Sequence, residues 1–335
     1  MEITEATNNS LNIQFPLSDV PLIFTKRTSQ EGWNLMPNDE IAWQKSSRGA
    51  FRGMSELQTD DFETRFAGIA RLYGHEALAR FRESHVCVVG VGGVGSWVVE
   101  ALARSGIGAL TMIDLDDVCV TNVNRQLPAL DGNIGRSKVG VLAERVRQIQ
   151  PACQVRAVEE YLTESNAERL LLSEFDYVVD AVDRAAIKVR MIARCRSMNL
   201  RVLTMGGAGG RRDPLRVRLA DLNRTSGDRL LRAVRTELRA NHRFAGAGKR
   251  KHHVLAVFSD EPQTFPWADG TCRSVSQPGE SLRMDCASGY GAVTHVTATF
   301  AMVGSGAVLE ALAKVAISRN QNQSSGFAPP EELEL

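Results

Sequence analysis

From Ser84 onward, short apolar runs alternate with longer stretches in which apolar residues recur every three or four positions. The runs "HVCVVG" (85–90), "ALTMID" (109–114), "CQVRAVEE" (153–160), "FDYVVDAVD" (175–183) and "RVLTMGGAGG" (201–210) predict strands, being short and rich in β-branched residues. The helical period fills the gaps over 94–105, 138–150, 164–172 and 185–199, and Pro151 closes the second helix. Strands alternating with helices predict a mostly parallel, doubly wound α/β sheet, whose ligand lies beyond the carboxyl ends of the strands. After Gly210 the rhythm shifts. "PLRVRLADL" (214–222) and "HVLAVFS" (253–259) read as further strands around a helix at 228–241, and a Pro- and Gly-rich loop at 260–291 precedes a last helix at 294–317.

Residues 1–53 carry no sustained period and read as a disordered extension, with Met54 as a natural start of the working chain. The expected organisation is therefore a first α/β region at 54–210, a region of the same domain at 211–318 that extends the sheet and adds substrate contacts, and a flexible tail at 319–335. A hydrophobic content of 43% with 24% charged residues is that of an ordinary soluble globular chain. No secretory signal opens it, so a cytoplasmic location is expected. The window 287–309 lacks Asp, Glu, Lys and Arg and is long enough to cross a membrane. Its several Gly and Ser residues and His295 favour a buried or dimer-forming helix, leaving peripheral membrane association open.

The six cysteines, Cys87, Cys119, Cys153, Cys195, Cys272 and Cys286, form no C-x-x-C pair, which argues against a paired-knuckle zinc site. Scattered through an α/β pattern they read as reduced, mostly buried thiols, with Cys272 the candidate for transient acyl capture. The net charge of +1 favours no polyanion, but the local charge does. Between 223 and 253, Arg224, Arg229, Arg232, Arg235, Arg239, Arg243, Lys249, Arg250 and Lys251 stand against only Asp228 and Glu237, with Arg211, Arg212, Arg216 and Arg218 just before. Such a patch suits RNA phosphates, with Arg232, Arg235, Arg239, Lys249, Arg250 and Lys251 as the expected contacts.

The turn after the first strand carries Gly90, Gly92, Gly93 and Gly95, a fingerprint that lets backbone and a helix N-terminus approach a phosphate. Asp114, ending the second strand, is placed to accept bonds from ribose hydroxyls. These features suit NAD and ATP alike. The next stretch decides between them: Asn122, Asn124, Arg125 and Gln126, with Lys138 opening the following helix, form a donor set that suits a triphosphate and its departing pyrophosphate. An oxidoreductase would leave that set without work. Asp180 and Asp183 in "VVDAVDR" offer a carboxylate for Mg²⁺, which takes few protein oxygens beside phosphate and water.

Together these motifs resemble the ubiquitin-activating-enzyme-like adenylating superfamily, in which a carboxylate attacks ATP and pyrophosphate leaves. "RFAGIARLYG", "DLDDVCVTNVNRQ", "TMGGAGG", "DPLRVRLADL", "WADGTC" and "RMDCASGYGA", spread over 62–317, resemble one branch of it, the tRNA threonylcarbamoyladenosine dehydratases. The resemblance implies ATP-dependent cyclisation of N6-threonylcarbamoyladenosine beside the anticodon of a tRNA, not a DNA, through an acyl-adenylate on the threonyl carboxylate. It implies that Gly90, Gly92, Gly93 and Gly95 line the nucleotide, that Asp114 holds the ribose, that Asn122, Arg125, Gln126 and Lys138 hold phosphates, and that Asp183 holds Mg²⁺. Arg184 stands where sulfur-carrier activators usually have Asn. A homodimer is implied, with Arg71 or Arg65 crossing to the partner's ATP, and a sulfur-relay partner and a monovalent cation stay open. The alternative within the superfamily is adenylation of a sulfur-carrier protein's C-terminal carboxylate. A tRNA-binding module without catalysis would not need the ATP set.

Overall fold

Burial on both faces defines the centre of the sheet. In this computed structural model, which describes residues 61–246, 250–277 and 290–324, the main sheet contains seven strands. They are β1 (His85–Val89), β2 (Ala109–Ile113), β3 (Gln154–Val158), β4 (Tyr177–Asp180), β5 (Val202–Met205), β6 (Val217–Asp221) and β7 (Leu255–Ser259), in the spatial order β3-β2-β1-β4-β5-β7-β6. Every pairing is parallel except that of β6 with β7. The near-continuous apolar runs of β1, β2, β4 and β5 are buried because helices cover both sides, whereas β3 at one edge is largely exposed.

The helices are α1 (Phe62–Arg65), α2 (Ala67–Tyr73), α3 (His75–Glu83), α4 (Gly95–Ala103), α5 (Lys138–Ile149), α6 (Ala167–Leu170), α7 (Ala185–Ser197), α8 (Arg229–Asn241) and α9 (Thr294–Ser324). One core joins Phe81 of α3, Leu102 of α4, Leu142 of α5 and Phe300 of α9 to Val86, Val88 and Leu203 of the sheet. The other packs Ile192 of α7 and Val234 of α8 against Cys87 and Val178. The apolar stretch of α9 is long enough to cross a membrane, but its Val296, Phe300, Ala301, Val308 and Leu312 are buried in the first core. Cys153 and Cys195 are buried thiols, pushed up to about 12 by burial, which makes them poor nucleophiles.

Several expected elements differ in extent. The helix expected at 164–172 shrinks to Ala167–Leu170, because Asn166 accepts from the Thr163 N–H at 2.7 Å and donates to the Tyr161 carbonyl at 2.9 Å. Such local bonds compete with the helical ladder. The strand expected from 214 begins at Val217, since Asp213 caps a 3₁₀ turn that Pro214 opens. The last helix runs past 317 to Ser324. The extension 1–53, Met54, Lys249, Cys286 and the residues beyond 324 lie outside the described residues.

The chain runs from β1 outward through β2 to β3, then returns to place β4 on the other side of β1. That reversal opens a crevice at the carboxyl ends of β1 and β4, where doubly wound sheets bind their ligands.

Candidate active site at the strand switch point

The turn from β1 into α4 floors the crevice. Gly90 has φ +82°, and a Cβ there would lie 3.0 Å from the Ala181 carbonyl group; at Gly95 a Cβ would lie 1.8 Å from the Gly90 oxygen. These two glycines let the loop close against β4. Gly92 and Gly93 do something else. Their added Cβ atoms would face the Gln126 amide at 3.8 Å and the Arg125 side chain at 3.3 Å, so glycine keeps the loop surface low in front of those residues. The N–H groups of Gly92, Gly93 and Val94 meet no backbone acceptor among the described residues and sit at the N-terminus of α4, an arrangement suited to phosphate.

Asp114 is part of this loop's support. It is 9% exposed, and its two oxygens accept from the N–H of Val91 at 2.7 Å and of Asp116 at 2.9 Å. Burial pushes its carboxyl up, against the pull of those two bonds. The more accessible carboxylate is Asp116, two residues on. It pairs with the Lys138 ammonium at 2.8 Å and accepts from the Tyr161 hydroxyl. Burial raises the Asp116 carboxyl, but the Lys138 and Tyr161 bonds, with the charges of Lys138 and Arg184, outweigh it and hold the group below the usual carboxylate range. The sequence reading chose Asp114 and missed Asp116 and Tyr161. The signal was available: period two along an extended chain puts 114 and 116 on one side, with 116 farther out.

The loop after β2 brings the remaining candidates together with unequal roles. Asn122 is 2% exposed and accepts the Cys119 N–H at 3.0 Å, while its carbonyl accepts from Arg125 and Gln126. It shapes the loop. Asn124 donates to the Ala292 carbonyl at 2.8 Å, tying the loop to the start of α9. Arg125 is fastened by its carbonyl, which accepts from Trp97 at 3.1 Å, and its guanidinium leans over Gly93 to the Thr121 carbonyl at 2.9 Å. Gln126 is 7% exposed, and its Oε1 is buried without a partner beside Gly92. An orphaned polar atom in a crevice is what a bound ligand satisfies. Lys138 is 5% exposed in the first turn of α5, which Ser137 caps.

Asp180 and Asp183 part company. Asp180 is fully buried, pairs with the equally buried Lys188 at 3.1 Å and accepts from Thr204 at 2.6 Å. It is unavailable to a metal, which corrects the expectation for that residue. Asp183 is exposed at the mouth of the crevice, in the turn before α7, with no ion pair among the described residues. No group of three or more His, Cys, Asp or Glu gathers among the described residues. A single free carboxylate beside phosphate oxygens is the donor set Mg²⁺ accepts, so Asp183 fits that ion.

The basic candidates also divide. Arg232 is exposed on α8, as are Arg250 and Lys251 in the following loop. Arg235 instead donates to the Thr225 hydroxyl, and Arg239 to Asn223 Oδ1 at 2.6 Å, so both brace α8 against its preceding turn. Arg211 is 2% exposed and donates to the Gly227 carbonyl, and Arg216 and Arg218 pair with Asp260. Arg65 pairs with Asp61, whereas Arg71 is exposed on α2. Cys272 is exposed on a separate two-stranded ribbon, β8 (Phe265–Pro266) with β9 (Cys272–Arg273).

A doubly wound sheet whose switch point carries a glycine turn, an orphaned amide, a lysine–aspartate pair and a free carboxylate defines an ATP-binding adenylating protein. The chain belongs to the ThiF family, which matches residues 65–332. It is 48% identical to a Haemophilus influenzae protein named tRNA threonylcarbamoyladenosine dehydratase, over 76% of this chain and 95% of that one. It is 47% identical to the Escherichia coli K12 protein of the same name, over 78% and 97%. The crystal structure of E. coli TcdA in complex with ATP superposes with a TM-score of 0.67 at 41% identity, covering 79% of this chain and 98% of that one.

Proposed function

We propose that this chain uses ATP to cyclise N6-threonylcarbamoyladenosine in tRNA with loss of the elements of water. What supports the proposal is the glycine turn with Gln126 and Arg125 against Gly92 and Gly93, together with the Lys138–Asp116 pair, in a chain that covers 95% and 97% of two dehydratases. The threonyl carboxylate attacks the α-phosphorus of ATP, a P–O bond breaks and pyrophosphate leaves. The ureido group of the same nucleoside then attacks the acyl carbon and loses its proton. AMP departs with the former carboxylate oxygen. Both steps need position and charge from the protein rather than a nucleophile.

Asp116 faces the ribose in this reading, braced by Tyr161 and Lys138, while Asp114 holds the glycine turn beneath. The Lys138 ammonium leaves Asp116 in part to meet the phosphates, and Arg125 balances charge on pyrophosphate. Mg²⁺ at Asp183 would lend charge neutralisation to the same phosphates. Exposed Arg71 on α2 is free to reach the nucleotide of a second copy in a dimer. The absence of any C-x-x-C pair argues against the sulfur-carrier reading. The test is pyrophosphate release from ATP with modified tRNA, unmodified tRNA and a sulfur-carrier protein in parallel. Release should need the modified tRNA, and Lys138→Ala should lower it about 100-fold or more with the fold intact. Equal release with the carrier protein alone would overturn the assignment.

A further inference from the structure

A cleft of about 560 Å³ opens at the end of the sheet opposite the glycine turn. The topology fixes this placement. Tyr177 begins β4, Val202 begins β5, Leu255 begins β7, and Asp221 ends the antiparallel β6, and all four line the cleft. The floor is the apolar start of these strands. The rim is basic: Arg201, Arg224, Lys251 and His253 converge on it from three separate segments, and all four are exposed.

The rim is built rather than accidental. Asp221 lies among these side chains, yet its carboxylate is occupied, accepting from the N–H of Asn223 and His252 at 2.9 Å each and of His253 at 2.8 Å. Three amide donors blunt its charge toward the cleft. His253 has φ +57°, in the left-handed region that few non-glycine residues occupy, and its N–H is fixed by the Asp221 carboxylate. Asn223 donates to the Arg250 carbonyl at 2.7 Å and the Gly246 carbonyl at 3.0 Å, which fixes the backbone directly before Lys251. Arg239 locks Asn223 in turn. Arg201 keeps one nitrogen on the Ala311 carbonyl at 3.1 Å.

We propose that this cleft is a second RNA contact, remote from the nucleotide crevice, in which Arg224, Lys251 and Arg201 hold backbone phosphates of the substrate tRNA. The proposal rests on the tRNA reading above and adds the place and the residues. Exposed cations around an open cleft suit a polyanion, whereas a small anion requires buried donors converging on one point. Arg243 and Arg250, in the stretch of chain that leads to Lys251, are exposed as well. β6 is the edge strand on this side of the sheet, so a tRNA presenting one nucleoside at the crevice would pass around that edge to reach the cleft.

The test uses Arg224→Gln with Lys251→Gln in the full chain. Both side chains are exposed, so the double variant should fold as the parent does. Binding of unmodified tRNA, measured at several salt concentrations, should weaken about tenfold near 0.1 M salt, and the log–log salt slope should flatten by about 1.4–1.8 for two lost phosphates. KM for modified tRNA should rise similarly, while ATP affinity by calorimetry and kcat at saturating tRNA stay at the parent values. Unchanged tRNA affinity and slope overturn the proposal while leaving the enzyme assignment intact. So does lost binding to phosphatidylglycerol vesicles with tRNA binding retained. A parent that binds tRNA with this salt dependence yet never turns it over defeats the enzyme assignment and not the cleft.

Discussion

Lys138 and Asp116 form an ion pair of 2.8 Å at the crevice. The lysine is nearly buried, and its carboxylate partner is 46% exposed, so the pair sits at the boundary between interior and solvent. Asp116 has a depressed folded pKa, caused by bonds from Lys138 and Tyr161 that outweigh burial. Its contribution to stability is therefore present above the unfolded carboxylate pKa, about 3.9, and is lost as pH falls through the lower folded value. Tyr161→Phe removes one of the two bonds and brings the folded pKa back toward the unfolded one. At pH 7 the variant should be less stable by about 0.3–1 kcal/mol, a small figure because Tyr161 and Asp116 are both partly solvated. Urea unfolding from pH 7 downward should show that gap closing below about pH 4. A gap of constant size across the range would mean that Tyr161 acts through packing alone. Asp114 has the opposite sign. Burial raises its folded pKa, so its ionisation costs stability at neutral pH, and that cost is relieved in acid.

At the scale of elements, the Asp180–Lys188 pair joins β4, α7 and β5, with both side chains fully buried. Lys188 also donates to the Asp180 carbonyl at 3.4 Å and to Thr204 at 3.3 Å, while Thr204 donates to Asp180. Removing one partner strands a charge in the interior. Lys188→Met should cost about 3–5 kcal/mol in urea unfolding, and adding Asp180→Asn should recover part of it. A loss under about 1 kcal/mol for the single change would mean the pair is dispensable. This network also marks where sequence reading stops. The alternation of strands and helices, the glycine turn and the switch point follow from periods of two and 3.6 and from glycine's missing Cβ, which are local properties. In "DAVD" the two aspartates look alike, and only partners from other elements, Lys188 from the next helix and Thr204 from β5, separate the buried one from the free one. Arg232, Arg235 and Arg239 each follow a buried residue of α8 by one position. No period distinguishes them; Thr225 and Asn223, in a neighbouring turn, draw the last two inward.

For the whole molecule, the question is where the working chain begins. The family match starts at residue 65, and the two dehydratases are covered over 95% and 97% of their own length by 76% and 78% of this one. The described structure supplies a finer boundary. Phe62, Phe66, Ala70 and Leu78 form a small apolar cluster over Gly106, and Arg82 lies over the Phe62 ring at 4.7 Å. Phe62 and Phe66 are 3% and 4% exposed, so they behave as core residues although they come first among the described elements. A chain beginning at Met54 retains them and should melt within about 3 °C of the full chain with the same pyrophosphate release per modified tRNA. A chain beginning at Ala67 lacks both rings. Each buried phenylalanine lost is worth about 3–5 kcal/mol, and one kcal/mol moves the melting temperature of a domain this size by about 2–4 °C, so a fall of at least about 10 °C is expected. Calorimetric melting of the three chains side by side makes the comparison. If the Met54 chain melts as low as the Ala67 chain, residues before Met54 contribute to the fold. If the Ala67 chain melts with the parent, the aromatic cluster is an appendage and the core closes without it.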